Sequence, residues 1–174
     1  QEVVSYEAID NGSSVTVKQS VKVSGVQAEK VNGYGDTKTT ITPVKEPLND
    51  ANTHFINNQE WTIYADGTVV CQSVLLPRGN PLELLRLGYE FQFPANLGNV
   101  AYYGRGPEEN YADRKSGMPL GVYKTTAKDS FFPYGRPQDC GNHEDTRWVA
   151  VTDDKGQGLL FGSLGTPFAF SAIP

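Results

Sequence analysis

From Leu85 to Phe93 the chain alternates without a break, with Leu85, Leu87, Tyr89, Phe91 and Phe93 at every second position and Arg86, Glu90 and Gln92 between them. A period of two sends successive side chains to opposite faces, so the stretch predicts a half-buried strand, ended by Pro94, which has no N–H for a ladder. The same period recurs at Val15, Val17, Val21 and Val23, with Thr16, Lys18 and Lys22 expected to face solvent. Trp61–Tyr64 and Thr68–Leu75 flank Asp66-Gly67, a pair that tolerates the positive φ angles of a primed turn, and predict a hairpin. Further short strands are expected at Val100–Tyr103, Trp148–Val151, Leu159–Phe161 and Phe168–Ala172, the middle pair joined by Asp153-Asp154-Lys155-Gly156. No segment sustains a helical period. Pro81–Leu87, the best helical candidate, reads better as the entry to the alternating strand. Strands separated by Gly- and Pro-rich turns, with no long helix, predict an all-β chain, most simply an antiparallel sandwich.

Charge narrows the partners. Fifteen Lys and Arg stand against twenty Asp and Glu, a formal net of −5, and the basic residues are scattered. Nucleic acid and anionic membrane both require a concentrated positive field, so neither is an expected partner. No apolar run is long enough to span a bilayer as a helix. Cys71 and Cys140 form no CxxC pair and are read as free thiols. At 174 residues the chain is expected to be a single domain. Its first residue is Gln1, which suggests a segment of a longer protein. Asn11-Gly12-Ser13 has the form of a glycosylation sequon and is read as a turn.

Two long stretches, Asn32 to Gln59 and Tyr103 to Arg147, show no strand pattern, and long loops in compact domains tend to carry function or form interfaces. The second holds Tyr102-Tyr103-Gly104-Arg105-Gly106-Pro107-Glu108-Glu109-Asn110-Tyr111-Ala112-Asp113-Arg114 directly after a strand. Its glycines permit close backbone approach, Pro107 stiffens the turn, and its carboxylates and guanidiniums are suited to ion pairs. A phosphate loop does not fit, because GxGxxG is incomplete and no helix follows. Downstream, Phe132 to Trp148 is again rich in Arg, carboxylates and aromatics.

The block Tyr103–Arg114, with Phe132-Pro133-Tyr134-x-Arg136-Pro137-Gln138, Gly141-Asn142 and Asp145-x-Arg147-Trp148, resembles the C-terminal, small-chain domain of family 2 β-galactosidases. Upstream, Ile63-Tyr64-x-Asp66-Gly67 and Leu84-Leu85-Arg86-Leu87-Gly88 extend the likeness. The resemblance implies a β-supersandwich related to galactose mutarotase, at the end of a multidomain hydrolase of terminal β-D-galactosides such as lactose. It also implies that the catalytic carboxylates and the magnesium ligands lie on a preceding (α/β)₈ barrel. No catalytic residue, metal ligand or cofactor is then expected in this chain, whose partners would be the parent enzyme's other domains, its β-galactoside substrate and the subunits of a homo-oligomer. Two departures stand out. Asp139-Cys140 replace the family's Glu and small polar residue, and the later Trp that reaches the galactoside site has no counterpart in Trp61 or Trp148.

The residues expected to brace the site or touch substrate are Tyr103, Arg105, Glu109, Asn110, Tyr111, Asp113, Arg114, Arg136, Asp139 and Arg147. Bracing by ion pairs is preferred over direct sugar contact, and packing of Tyr103, Tyr111, Phe132 and Tyr134 over a sugar platform. Arg114→Ala is expected mainly to destabilise, since stranding a buried carboxylate costs ~3 to 5 kcal/mol. His143 beside Glu144 and Asp145 invites a metal reading, against which a salt-bridged or solvated histidine is favoured. A free-standing mutarotase-like epimerase and a carbohydrate-binding module are the alternatives to a β-galactosidase segment.

Overall fold

The computed structural model describes residues 1–24, 53–79, 87–136 and 138–174. Among them every regular element is a strand, and neighbouring strands run antiparallel. The all-β, antiparallel expectation is met. The chain forms two compact units, Gln1–Gly88 and Tyr89–Pro174.

The first unit is a four-stranded meander of β1 (Glu2–Asp10), β2 (Ser14–Ser24), β3 (Thr53–Tyr64) and β4 (Val69–Gly79), in that order. Asn11-Gly12-Ser13 is the expected turn, tying β1 to β2 through the Asn11 N–H on the Ser14 carbonyl at 2.9 Å. Directly paired residues share a face, so Val15, Ile63 and Val69 line up across three strands, as do Val17, Trp61 and Cys71. Val15, Ile63 and Val69 are nonetheless exposed, whereas Thr16 is buried. That reverses the expected facing of Thr16. Its hydroxyl lies 3.0 Å from Asn11 Nδ2 and 3.4 Å from the Thr62 hydroxyl, which satisfies a buried polar group.

The predicted hairpin exists with a different turn. Gly67 alone takes positive φ (88°), its N–H donates to the Tyr64 carbonyl at 3.1 Å, and the Tyr64 N–H donates to Thr68 at 2.9 Å. This is the three-residue loop of a type I turn closed by a left-handed glycine. The Asp66 carboxylate accepts the Thr68 N–H at 2.8 Å, which lowers its pKa.

The second unit is built on a four-stranded sheet, ordered β6 (Leu120–Thr126), β5 (Asn99–Arg105), β8 (Trp148–Thr152), β9 (Gly158–Gly162). A two-stranded sheet of β7 (Asn142–Thr146) and β10 (Phe168–Ser171) packs on it. Val100, Tyr102 and Val149 form the core, packed by Tyr123, Phe161, Phe168 and Phe170. The Tyr102 ring sits 4.3 Å from His143 and 5.1 Å from Phe170, so the sandwich closes through aromatic rings.

Three expectations change. The strand from Leu85 to Phe93 is not formed over residues 87–93, which join no ladder; Phe91 and Phe93 instead lean on Phe161 at centroid distances of 5.2 and 6.0 Å. Leu85 and Arg86, and Pro81 to Arg86 of the helical alternative, lie outside the described residues. The stretch from Tyr103 to Arg147 is not one loop, because it contains β6 and β7. Of the stretch from Asn32 to Gln59, residues 53–59 belong to β3 and the remainder lies outside the described residues.

Candidate functional site

The motif residues converge at the end of β5. Gly104 is there because the chain must pass close to β7: a Cβ would meet the Thr146 hydroxyl at 2.5 Å. The Gly106–Pro107 peptide is cis. Beyond it the loop 106–119 folds back, with the Gly106 N–H donating to the Pro119 carbonyl at 3.2 Å, and Tyr134 and Gly141 reach it at Glu109.

Asn110 is the hub. Wholly buried, it donates through Nδ2 to the Arg105 and Glu108 carbonyls, both at 3.0 Å, and accepts the Glu144 N–H on Oδ1 at 2.9 Å. Its backbone exchanges two further bonds with Asn142: the Asn110 N–H donates to the Asn142 carbonyl at 2.7 Å, and Asn142 Nδ2 donates to the Asn110 carbonyl at 2.7 Å. An amide with two donors and an acceptor fits three backbone groups at once, which no charged or apolar residue of that size does.

On one side of Asn110 lies a four-membered ion cluster. The Arg105 guanidinium donates from Nε to Asp145 at 2.5 Å, and from Nη1 to the Met118 and Lys115 carbonyls at 2.9 and 3.3 Å. Lys115 Nζ is 3.0 Å from Asp145 and 3.7 Å from Glu144. Arg105 first, and Lys115 second, hold the Asp145 carboxyl below its ordinary pKa. Asp145 takes a positive φ of 52°, a conformation Asp and Asn tolerate best after glycine. Arg147 donates to the Asp145 carbonyl and lays its guanidinium 5.5 Å over the Tyr103 ring.

On the other side, Glu109 gathers donors from both loops. One oxygen takes Arg114 Nη2 at 2.6 Å and the Tyr134 hydroxyl, and the other takes the Gly141 N–H at 2.8 Å. Arg114 also covers the Tyr111 ring at 4.6 Å. The Tyr111 hydroxyl is buried with no partner at hydrogen-bond geometry, and burial raises its pKa.

Seven of the ten predicted residues therefore meet in one assembly: Tyr103, Arg105, Glu109, Asn110, Tyr111, Arg114 and Arg147. Asp113, Arg136 and Asp139 are exposed. Arg114 is half exposed while Glu109 is mostly buried, so the pair is not the fully buried one that a ~3 to 5 kcal/mol penalty requires. The sequence pattern did not single out Lys115, whose ammonium joins the ion cluster, or Asn142 and Thr146, whose side chains bond backbone carbonyls. Only the Gly141-Asn142 pair carried a signal, through its place in the motif. His143 is neither salt-bridged nor solvated. It is 3% exposed, its Nδ1 lies 3.1 Å from the Arg105 carbonyl, and burial lowers its pKa. Among the described residues no group of three His, Cys, Asp or Glu is placed to hold a metal ion. Cys71 and Cys140 form no disulfide; Cys140 is buried and Cys71 half-buried.

A chain with this motif and fold has clear relatives. The family model described as "Beta galactosidase small chain" matches residues 5–174. A β-galactosidase of Priestia megaterium is 41% identical over 114 residues, which cover 66% of this chain and 11% of that protein. The β-galactosidase BgaC of Bifidobacterium adolescentis is 48% identical over 89 residues, covering 50% of this chain and 8% of that protein. A β-galactosidase of Kluyveromyces lactis is 31% identical over 117 residues, covering 67% of this chain and 11% of that protein. The chain thus matches about a tenth of the length of these relatives. By the span of the family match, it belongs to the β-galactosidase small chain family.

Proposed function

We propose that the chain is a non-catalytic C-terminal β-sandwich segment of a β-galactosidase acting on terminal β-D-galactosides of the lactose type. Its role is to brace the active site and the carbohydrate binding of the full enzyme. The observation that carries this reading is the commitment of two motif carboxylates to donors within this chain: Glu109 to Arg114, Tyr134 and Gly141, and Asp145 to Arg105 and Lys115. A glycosidase needs a carboxyl whose pKa is raised so that it carries a proton, paired across the sugar with a nucleophilic carboxylate or a general base. Asp145 is shifted the opposite way. Acids held like this fix loop geometry, which is what a support for a neighbouring active site requires. The reacting carboxylates and magnesium belong, in this reading, to a preceding barrel of the same polypeptide.

The full-length polypeptide carrying this chain should hydrolyse a chromogenic β-galactoside, and the chain expressed alone should not. Turnover by the chain alone would overturn the non-catalytic assignment.

A further inference from the structure

Strand β7 buries three polar side chains, Asn142, His143 and Thr146. Asn142 and Thr146 do not titrate; they donate to the Asn110 carbonyl at 2.7 Å and the His143 carbonyl at 3.1 Å. His143 differs, because its ring can take a second proton. It lies between the ring of Tyr102 at 4.3 Å and that of Phe170, its partner across the β7–β10 ladder, at 5.2 Å. Its Nδ1 faces the Arg105 carbonyl, which can only accept, so the neutral ring carries its proton on Nδ1. Among the described residues that carbonyl is the ring's single hydrogen-bond partner. A second proton, on Nε2, would be a donor without an acceptor on a charged ring that is 3% exposed.

The groups around the ring act on that proton unequally. Tyr102 on β5 is neutral, its hydroxyl donating to the Pro107 carbonyl at 3.3 Å and its pKa raised by burial. The Arg105 guanidinium is taken by Asp145, and on β7 itself Glu144 and Asp145 turn to Lys115. Strand β10 supplies no titratable group. From the loop 106–119, Glu108 and Glu109 attract a positive ring, but burial outweighs them.

We infer that His143 is a pH-sensitive latch: its neutral ring holds β7 against the core, and its protonation frees β7 together with the contacts this strand carries. Those contacts reach both parts of the loop assembly. Strand β7 gives Asn110 the Asn142 amide and the Glu144 N–H, and gives Arg105 the Asp145 carboxylate. Once the strand opens, the exposed imidazole takes its proton near pH ~6.5, whereas the buried ring resists it. The closed state is therefore at full strength above pH ~6.5 and weakens as pH falls from there to the lower folded value. This loss begins well above the range in which a carboxylate such as Asp145 titrates.

Hydrogen exchange of the full-length protein from pH ~5 to ~8 tests this, read by mass spectrometry on peptides spanning 142–146 and corrected for the intrinsic pH dependence of amide exchange. Protection of these residues should be level above pH ~7 and fall below pH ~6.5 by up to about tenfold per pH unit, the limit for one proton. Protection that stays level to pH ~5 would overturn the latch, and this reading needs no variant. Strand β2 of the first unit contains no histidine, and its peptides should keep level protection; a fall equal to that of 142–146 would show general loosening and overturn a local device. His143→Asn keeps an amide donor near the place of Nδ1 and does not titrate, so its 142–146 protection should be level throughout. A fall in the variant equal to the parent's would likewise overturn the inference.

Discussion

The Glu109 carboxylate accepts the backbone N–H of Gly141 at 2.8 Å, joining two loops whose residues are 32 apart in sequence. A side chain that terminates another segment's backbone acts as a staple, and its loss leaves a buried donor unsatisfied at a cost of about 1 to 3 kcal/mol. Glu109→Gln keeps the shape and removes the charge that holds Arg114. Equilibrium denaturation of the variant should show a loss in that range. Arg114→Ala should cost less, about 1 kcal/mol or below, because Arg114 is half exposed and Glu109 keeps its other two donors. A larger loss from Arg114→Ala than from Glu109→Gln would contradict this ordering.

Asn110→Asp should be worse than Asn110→Ala. The alanine strands two carbonyls and one N–H; the aspartate keeps an acceptor for the Glu144 N–H but directs a negative charge at the Arg105 and Glu108 carbonyls in a site with no solvent exposure. Denaturation midpoints at neutral pH give the order directly, and equal midpoints would argue against the hub.

Gly141→Ala should destabilise strongly. Gly141 sits at φ 70°, where a left-handed backbone costs an L residue about 1 to 2 kcal/mol. A Cβ there would also meet the Ser130 carbonyl oxygen at 2.6 Å. Gly117→Ala is the control, since nothing lies within 4 Å of its added carbon. Thermal melts of the two variants should differ clearly, with Gly117→Ala close to the parent.

The Asp145 cluster predicts an acid limb. Because the folded carboxyl has its pKa lowered by Arg105 and Lys115, its stabilisation is fully present above the unfolded value near pH ~4 and is lost as pH falls through the lower folded value. Asp145→Asn tolerates the positive φ but carries no charge, so the gap to the parent should start to close near pH ~4 and vanish only below the lowered folded value. A constant difference between the two down to the acid transition would show that the ion cluster contributes nothing.

Much of the fold was legible from short apolar runs between turn residues. Val100–Tyr103, Trp148–Val151 and Leu159–Phe161 are such runs and fall in β5, β8 and β9. Strand β7 was not legible, since Asn142-His143-Glu144-Asp145-Thr146 buries polar side chains and offers no hydrophobic signal. Strand β1 hides its alternation behind a register shift between Val3 and Ser5. Strand β6 sets apolar residues on both faces, Leu120 and Val122 outward and Tyr123 inward, which erases the pattern. Conversely, residues 87–93 alternate yet join no ladder, because the period reports a face to bury and not a hydrogen-bonded neighbour. At the site, charge density singled out Arg105, Glu109 and Arg114. Their partners were set by tertiary closure, which spacing does not encode.

The central claim is that the motif braces a β-galactosidase without entering its reaction. Steady-state kinetics and thermal inactivation of the full-length enzyme carrying Glu109→Gln test it most directly. The account predicts a kcat close to the parent's well below the inactivation temperature, together with a lower inactivation temperature. A collapse of kcat with unchanged thermal inactivation would contradict it and place Glu109 in the chemistry.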